Sequence, residues 1–332
     1  MIKQCRSLLA IAAIFASLPA MASGVSGLTT FSAGSPAKAA DVNGNFTAVK
    51  TAVDDSQVQI DALKAQVATL QAQLNNVLAI NQYLSLQQVN SQPTIRVSGA
   101  NLQVVNGAND TATSNGKGNL IIGYDEARSS GSSQCSLGTN PNTGLPVSGQ
   151  AGCTTAGGTW ALSHKSGSHY LIVGSENNYS RFSGVVIGSR NTANYDYASV
   201  SGGTDNTASG YGASVSGGGG NTASGSSAAV SGGFANTASG ASAVVNGGTA
   251  NTASTSNASV SGGYNNVASG SSASVSGGST NTASGSSTSV SGGIGNTASG
   301  SVASVSGGTS VTNAASNGWA AGGTGVGAYH SP

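Results

Sequence analysis

The sequence predicts an all-β solenoid, a parallel β-roll or β-helix of 14–15-residue coils, preceded by an α-helical coiled coil. Three observations predict it. A phrase close to Ser-Val-Ser-Gly-Gly-x-x-Asn-Thr-Ala-Ser-Gly recurs with a spacing of 15 through the carboxy-terminal half. From Asn206 to Pro332 that half contains no Asp, Glu, Lys or Arg. Ahead of it lies a segment whose apolar residues alternate at gaps of three and four. A short, strict period means one structural unit stacked on copies of itself. Fifteen residues are too few for a helix pair or a propeller blade, and suit two short strands joined by tight turns.

Residues 1–22 read as a Sec signal peptide. Lys3 and Arg6 give a basic start, Leu8 to Leu18 an apolar stretch, and Ala20-Met21-Ala22 a small-x-small cleavage site. Cys5 precedes the apolar stretch and leaves with the peptide. No other segment is apolar enough to span a membrane. Residues 23–52 form a Gly/Ala/Ser-rich lead-in. The chain is therefore expected to be secreted, to the extracellular space or the cell surface.

Residues 53–90 are expected to form the coiled-coil stalk. Position a holds Val53, Ile60, Val67, Leu74 and Asn81, and position d holds Ser56, Leu63, Leu70, Val77 and Leu84. The alternative is a single amphipathic helix lying on the solenoid. Asn81 at position a would fix register and strand number at some cost in stability. Pro93 is expected to end the segment, and residues 91–118 to form a neck with short strands at Ile95 to Val97 and Leu102 to Val105.

The solenoid is expected over 119–323. In the regular coils its core column is Val200, Val215, Val230, Val245, Val260, Val275, Val290 and Val305. Period-two alternation puts Val200 and Ala208 on one side of the chain and the neighbouring hydroxyls on the other. Three earlier phrases, Leu120-Ile121-Ile122-Gly123, Leu171-Ile172-Val173-Gly174 and Val185-Val186-Ile187-Gly188, extend the array. There the expected inward pairs are Leu120 and Ile122, Leu171 and Val173, and Val185 and Ile187. Asn206, Asn221, Asn236, Asn251, Asn266, Asn281 and Asn296 recur at the same period. They either stack as a ladder or occupy left-handed turn positions.

Residues 127–166 interrupt the solenoid and hold Cys135 and Cys153, which in an exported protein are expected to pair. At the far end Trp319-Ala320-Ala321-Gly322-Gly323 reads as a degenerate last coil, with Trp319 and Tyr329 expected to cap the stack and 324–332 a tail.

The phrases Leu171-Ile172-Val173-Gly174 and Val185-Val186-Ile187-Gly188, with the Ser-Val-Ser-Gly-Gly repeats, resemble the head repeats of trimeric autotransporter adhesins of the YadA type. The resemblance covers about 118–323. It implies a left-handed parallel β-roll, three of which pack into one trimeric head. The sequence departs from that family in four ways. Glycine replaces the second apolar residue in the later coils, the period lengthens from the family's 14 to 15, the coiled coil precedes the head, and no stretch reads as the family's membrane β-barrel anchor.

Composition excludes much chemistry. With 6% charged residues, 51 glycines and a net charge of +1, the chain gives no reason to expect nucleic acid or anionic membrane as partner. A charge-free array lacks general acids, general bases and hard-metal ligands. His164 and His169 lie near Cys153 and Glu176, but the spacing matches no zinc pattern. The acids are scattered singly, unlike the clusters of solenoid polysaccharide lyases, and the repeats lack the Asp per turn of calcium-binding solenoids. No enzyme activity, cofactor or metal is expected.

The expected function is that of a fibre-like, homotrimeric adhesin or surface-structure protein. Its ligand would be a surface molecule such as a matrix protein or glycan, bound through a repeated polar face. Three alternatives stand beside it: an ice-binding solenoid, a phage-type tail fibre, and an exported hydrolase. The ice reading rests on Thr207 and Ser209, which would project from one strand about 7 Å apart and recur about every 4.8 Å. Val267 interrupts that threonine column.

Overall fold

The structure is a computed structural model that describes residues 24–137, 147, 149–323 and the backbone of Tyr329–Ser331. The expected signal peptide and most of the expected tail lie outside the described residues. The chain divides into two compact units, one running to Leu102 and one beginning at Gln103.

The first unit is built on one helix, α1, Ala39–Asn81. It starts well ahead of the expected stalk, because Ala39, Ala40 and the residues after them carry no breaker until the chain is already helical. Asn45 holds the lead-in against it: the Thr29 N–H donates to Asn45 Oδ1 at 2.7 Å, and Asn45 Nδ2 donates to the Thr29 carbonyl at 2.9 Å. Of the helix residues only Ala52 is buried. Ile60, Leu63, Val67, Leu70, Leu74 and Val77 are all exposed in the single chain.

The helix ends at Asn81, and this corrects one stalk assignment. Leu84 is not a helix position but the first residue of strand β1, Leu84–Val89, which pairs antiparallel with β2, Gln92–Val97. The turn residues Asn90 and Ser91 both have positive φ, +50° and +63°, as a two-residue hairpin turn requires. Pro93 lies within β2, opposite Gln88, rather than terminating a helix. The heptad pattern reached Leu84 by spacing alone, whereas Leu84-Ser85-Leu86 already alternates at period two.

The second unit is a parallel β-solenoid. Its coils contribute one strand each to two long sheets, of thirteen and ten strands. Strands of two residues dominate. Ser199–Val200 lies beside Ser214–Val215, and Thr207–Ala208 beside Thr222–Ala223, in parallel register. Single bridges such as Thr204 to Gly219 add a third ladder.

The core is narrow and repetitive. The column from Val200 to Val305 is buried throughout, as are Ala208 and its repeats. A second alanine column, Ala198, Ala213, Ala228, Ala243, Ala258 and Ala273, is buried too. Thr288 occupies that column once, its hydroxyl bonded to the Gly285 carbonyl at 2.8 Å.

Between the apolar columns runs the asparagine column, fully buried from Asn206 to Asn296. The asparagines form the ladder and do not take the left-handed turn position. That position belongs to the preceding residue, as in Asp205 (φ +56°) and Ala235 (φ +55°). Each asparagine is satisfied. The Asn221 N–H donates to Asn206 Oδ1 at 2.9 Å, and Asn221 Nδ2 donates to the Gly217 and Gly233 carbonyls at 3.0 and 2.9 Å. The ladder starts at Asn177 and stops where Val311, itself buried, donates its N–H to Asn296 Oδ1.

Glycine is obligatory at one point of each regular coil. Gly203 has φ +82°, and a Cβ there would stand 2.1 Å from the Gly218 carbonyl oxygen and 2.7 Å from Asn206 Nδ2.

The early coils overturn six expected core positions. Leu120, Ile122, Leu171, Val173, Val185 and Ile187 point outward, and the inward residues are Ile172 and Val186. Val186 pairs with Val200, and Ile172 with Val186. Aligning the phrases on their asparagines places Val185 opposite Val200. The strand register places Val186 there, and a slip of one residue in a strand moves every side chain to the other face.

The segment between the Leu120 and Leu171 strands leaves and re-enters the stack, since β3, Leu120–Ile122, pairs directly with Leu171–Val173. It carries β4, Gln134–Cys135, antiparallel to β5, Trp160–Ala161, and a short helix, α2, Gly149–Thr155. The Cys135–Cys153 disulfide ties β4 to α2. At the other end Trp319 is exposed and stands in register with Ser304 on the outer side of the sheet, so it does not cover the open stack. Ala320 fills the inward place, and the Tyr329–Ser331 backbone pairs antiparallel along Trp319–Ala321.

Candidate functional site: the faces of the solenoid

The charged residues of this unit gather at its amino-terminal coils, where they hold the fold together. Arg181 makes a two-point pair with Asp196 at 2.9 and 3.0 Å, and its guanidinium lies 5.6 Å from the Tyr195 ring centre. Arg190 makes a second two-point pair with Asp205 at 2.8 and 2.6 Å, spanning one coil. That hydrogen bond holds the Asp205 carboxyl below the usual carboxylate range and raises Arg190. Lys165 pairs with Asp125 at 2.6 Å, and Asp125 also accepts the Tyr179 hydroxyl at 2.5 Å. Burial, then the bond to Asp125, pushes the Tyr179 phenol up. Burial does the same to Tyr170, which packs 5.6 Å from Tyr179.

Arg128 pins the inserted segment to the stack. Its guanidinium donates to the backbone carbonyls of Glu176, Arg190 and Asn191 and to Thr192 Oγ1. Burial lowers its pKa, against the opposing pull of Asp205 and Glu176. Further bonds join the segment to the second sheet. Thr192 Oγ1 donates to Gln134 Oε1 at 3.0 Å, and Asn194 Nδ2 to the Cys135 carbonyl at 3.1 Å. Asp125, Glu176, Asp196 and Asp205 each have an architectural partner, and none of them faces another across a cleft as an acid–base pair would.

The two histidines are separated in role. His164 is buried, with Nε2 2.9 Å from the Gln134 carbonyl. His169 sits between the Asn106 N–H and the Thr111 carbonyl, which lies 3.1 Å from Nδ1. Cys153 is joined to Cys135 and has no thiol to offer.

What remains is surface. Leu120, Leu171 and Val185 form one outward ladder of the thirteen-stranded sheet, and Ile122, Val173 and Ile187 a parallel one. Farther along, serine takes over: Val185 is followed by Ser199 and Ser214, and Ala229 and Val244 are the apolar exceptions before Ser259. On this sheet the outward leucine, valine and isoleucine ladders are thus concentrated in the first coils. On the ten-stranded sheet the outward residues are Thr207, Thr222, Thr237 and Thr252, in direct register, then Val267, Thr282 and Thr297. Sequence reasoning identified the threonine lattice but missed the apolar ladders, whose residues it had placed inside. The spacing alone did not decide it: Val185 lies 15 residues before Val200, the same step as Asn191 to Asn206, and only the strand register pairs Val186 with Val200.

No protein-family model matches the chain, and no curated protein matches it in sequence. Among the described residues no helix is long and apolar enough to cross a membrane.

Proposed function

We propose that this chain is a secreted, non-enzymatic, homotrimeric fibre protein of the adhesin or surface-structure kind. In this reading α1 is a short coiled-coil stalk. The solenoid is a β-roll head of 14–15-residue coils, like the heads that its phrases resemble. One observation carries the reading: two apolar surfaces stand uncovered in the single chain. They are the a/d stripe of α1, with Ile60, Leu63, Val67 and Leu70 exposed, and the outward Leu–Val–Ile ladders of the first coils, exposed at Leu120 and Ile122 and half-buried at Leu171, Val173, Val185 and Ile187. Apolar ladders on a rigid sheet face are worth roughly 25 cal/mol per Å² once covered. Three copies of the same chain would cover the stripe in a coiled coil and the ladders in a trimeric head.

The test separates the two faces of one strand. Val185→Asp places a charge on the outer ladder, and light scattering is expected to show loss of the trimer with the solenoid still folded. Val186→Asp buries a charge without a partner and is expected to cost several kcal/mol and unfold the first coils. A wild-type protein that stays monomeric at micromolar concentration overturns the reading.

A second reading has its own observation. The threonines from Thr207 to Thr252 stand in direct register in a charge-free column, the arrangement an ice-binding face would need.

A further inference from the structure

The third ladder of the solenoid, made of single bridges, runs Thr204, Gly219, Phe234, Thr249, Tyr264, Ser279, Ile294, Thr309. Large and small residues alternate along it from Gly219 onward. The large ones stand in the open: Phe234 is 62% exposed, Tyr264 57% and Ile294 57%. Nothing in the core requires them, since the same position is filled by glycine, serine or threonine in the coils between. The Phe234 ring leans back over the bare Gly219, where an added Cβ would stand 3.3 Å from its Cδ2.

Backbone hydrogen bonds fix the spacing. The Phe234 N–H donates to the Gly248 carbonyl at 2.9 Å, and the Tyr264 N–H to the Gly278 carbonyl at 3.0 Å. Adjacent strands lie about 4.8 Å apart, so the large side chains recur every roughly 9.6 Å along the ladder. Thr249 and Ser279 set a hydroxyl between each successive pair. No charge lies anywhere on the array from Asn206 onward.

We propose that this column is a binding track for an extended, uncharged β-1,4-linked polysaccharide lying parallel to the solenoid axis. The proposal rests on the reading of the chain as a displayed fibre, and supplies its ligand class and site. A β-1,4-linked chain of hexoses turns over at each residue and repeats every disaccharide, a length close to the two-coil spacing. Its sugar rings present apolar C–H faces that stack on aromatic side chains. Its hydroxyls exchange hydrogen bonds with the threonine and serine between. A polyanion such as alginate or heparin would meet no cation here and would lose its hydration for nothing in return. The track is short, so each head binds weakly, and several heads on one fibre act together.

The experiment uses the full mature chain and sedimentation with microcrystalline cellulose and with chitin powder, alginate gel serving as the charged control. The wild type is expected to be retained on one of the two neutral polymers and not on alginate. The double variant F234A/Y264A is expected to lose at least tenfold in retention, and the exposed Val302→Ala to lose none. The decisive variant, F234T/T249F, keeps the composition and moves one ring by one coil. It is expected to bind as poorly as the double alanine variant. Retention by F234T/T249F equal to wild type would show general stickiness and overturn the track. So would retention on alginate alone, or on none of the three matrices. Circular dichroism and light scattering on the same samples keep the readings apart. A trimer that binds no polysaccharide overturns the track and leaves the fibre. A monomer that binds with the expected spacing dependence overturns the fibre and leaves the track.

Discussion

At the scale of the residue, the solenoid depends on its buried asparagines as well as on its buried valines. A buried amide is costly unless its hydrogen bonds are met, and here the Oδ1 acceptor and both Nδ2 hydrogens are used. Asn236→Ala removes two donors from the Gly232 and Gly248 carbonyls and one acceptor from the Asn251 N–H, leaving the last unsatisfied in the core. At about 1 kcal/mol per net bond, and more for the orphaned N–H, the expected loss is about 3–4 kcal/mol. Ser226→Ala, at an exposed turn, is expected to change stability by under about 0.5 kcal/mol. Thermal denaturation of the two variants checks this. Equal melting temperatures would mean that the ladder contributes nothing. The sequence announced the period of these asparagines but not their place. Turn residues and ladder residues recur equally well every coil, and only the left-handed φ at Asp205 and its equivalents separates them.

At the scale of the element, the first coils are held differently from the later ones. They combine a disulfide, an inserted segment pinned by Arg128 and the pairs Arg181–Asp196 and Arg190–Asp205. The later coils rely on backbone ladders, small apolar columns and asparagine. Acid should therefore weaken only the beginning of the stack. The folded-state pKa of Asp205 is depressed by its bond to Arg190. Its contribution is present above the ordinary carboxylate value near 4 and is lost as pH falls through the lower folded value. Hydrogen exchange is expected to show faster opening of residues 185–205 at pH 2 than at pH 6. Exchange across 221–300, corrected for intrinsic rate, is expected to be unchanged. The Arg190–Asp205 pair is exposed, so the effect is expected to be small. A uniform loss along the whole stack would place the acid-sensitive group elsewhere.

The helical element taught a different lesson. The a/d pattern correctly marked a long helix, yet it ran on into Leu84, where the chain had already turned to a hairpin. Helix and strand patterns overlap at a boundary, because one apolar residue can satisfy both periods.

At the scale of the whole molecule, the fibre and ice readings use different faces of one array and are separable in solution. The fibre reading expects saturable attachment of the trimer to a surface, gained through several weak sites. The ice reading expects thermal hysteresis and faceted crystals, lost when Thr237→Tyr disrupts the middle of the threonine lattice. We expect no hysteresis, because Val267 breaks the threonine column. Ice shaping by the protein, lost in Thr237→Tyr, would reverse that choice.

The sequence by itself determined the repeating unit, the inward valines and alanines of the regular coils, the long helix and the pairing of the two cysteines. Each follows from local periodicity or from a partner that few residues can provide. Three features were left to the tertiary structure. The strand register of the early coils turned Leu171, Val173, Val185 and Ile187 outward. Stacking carried the asparagines into the core. Stacking also drew Phe234, Tyr264 and Ile294 into one column. All three concern which residue stands beside which in the next coil. Backbone hydrogen bonds between coils settle that alignment, and where a coil shortens by one residue the period alone cannot show on which side of the strand the change falls.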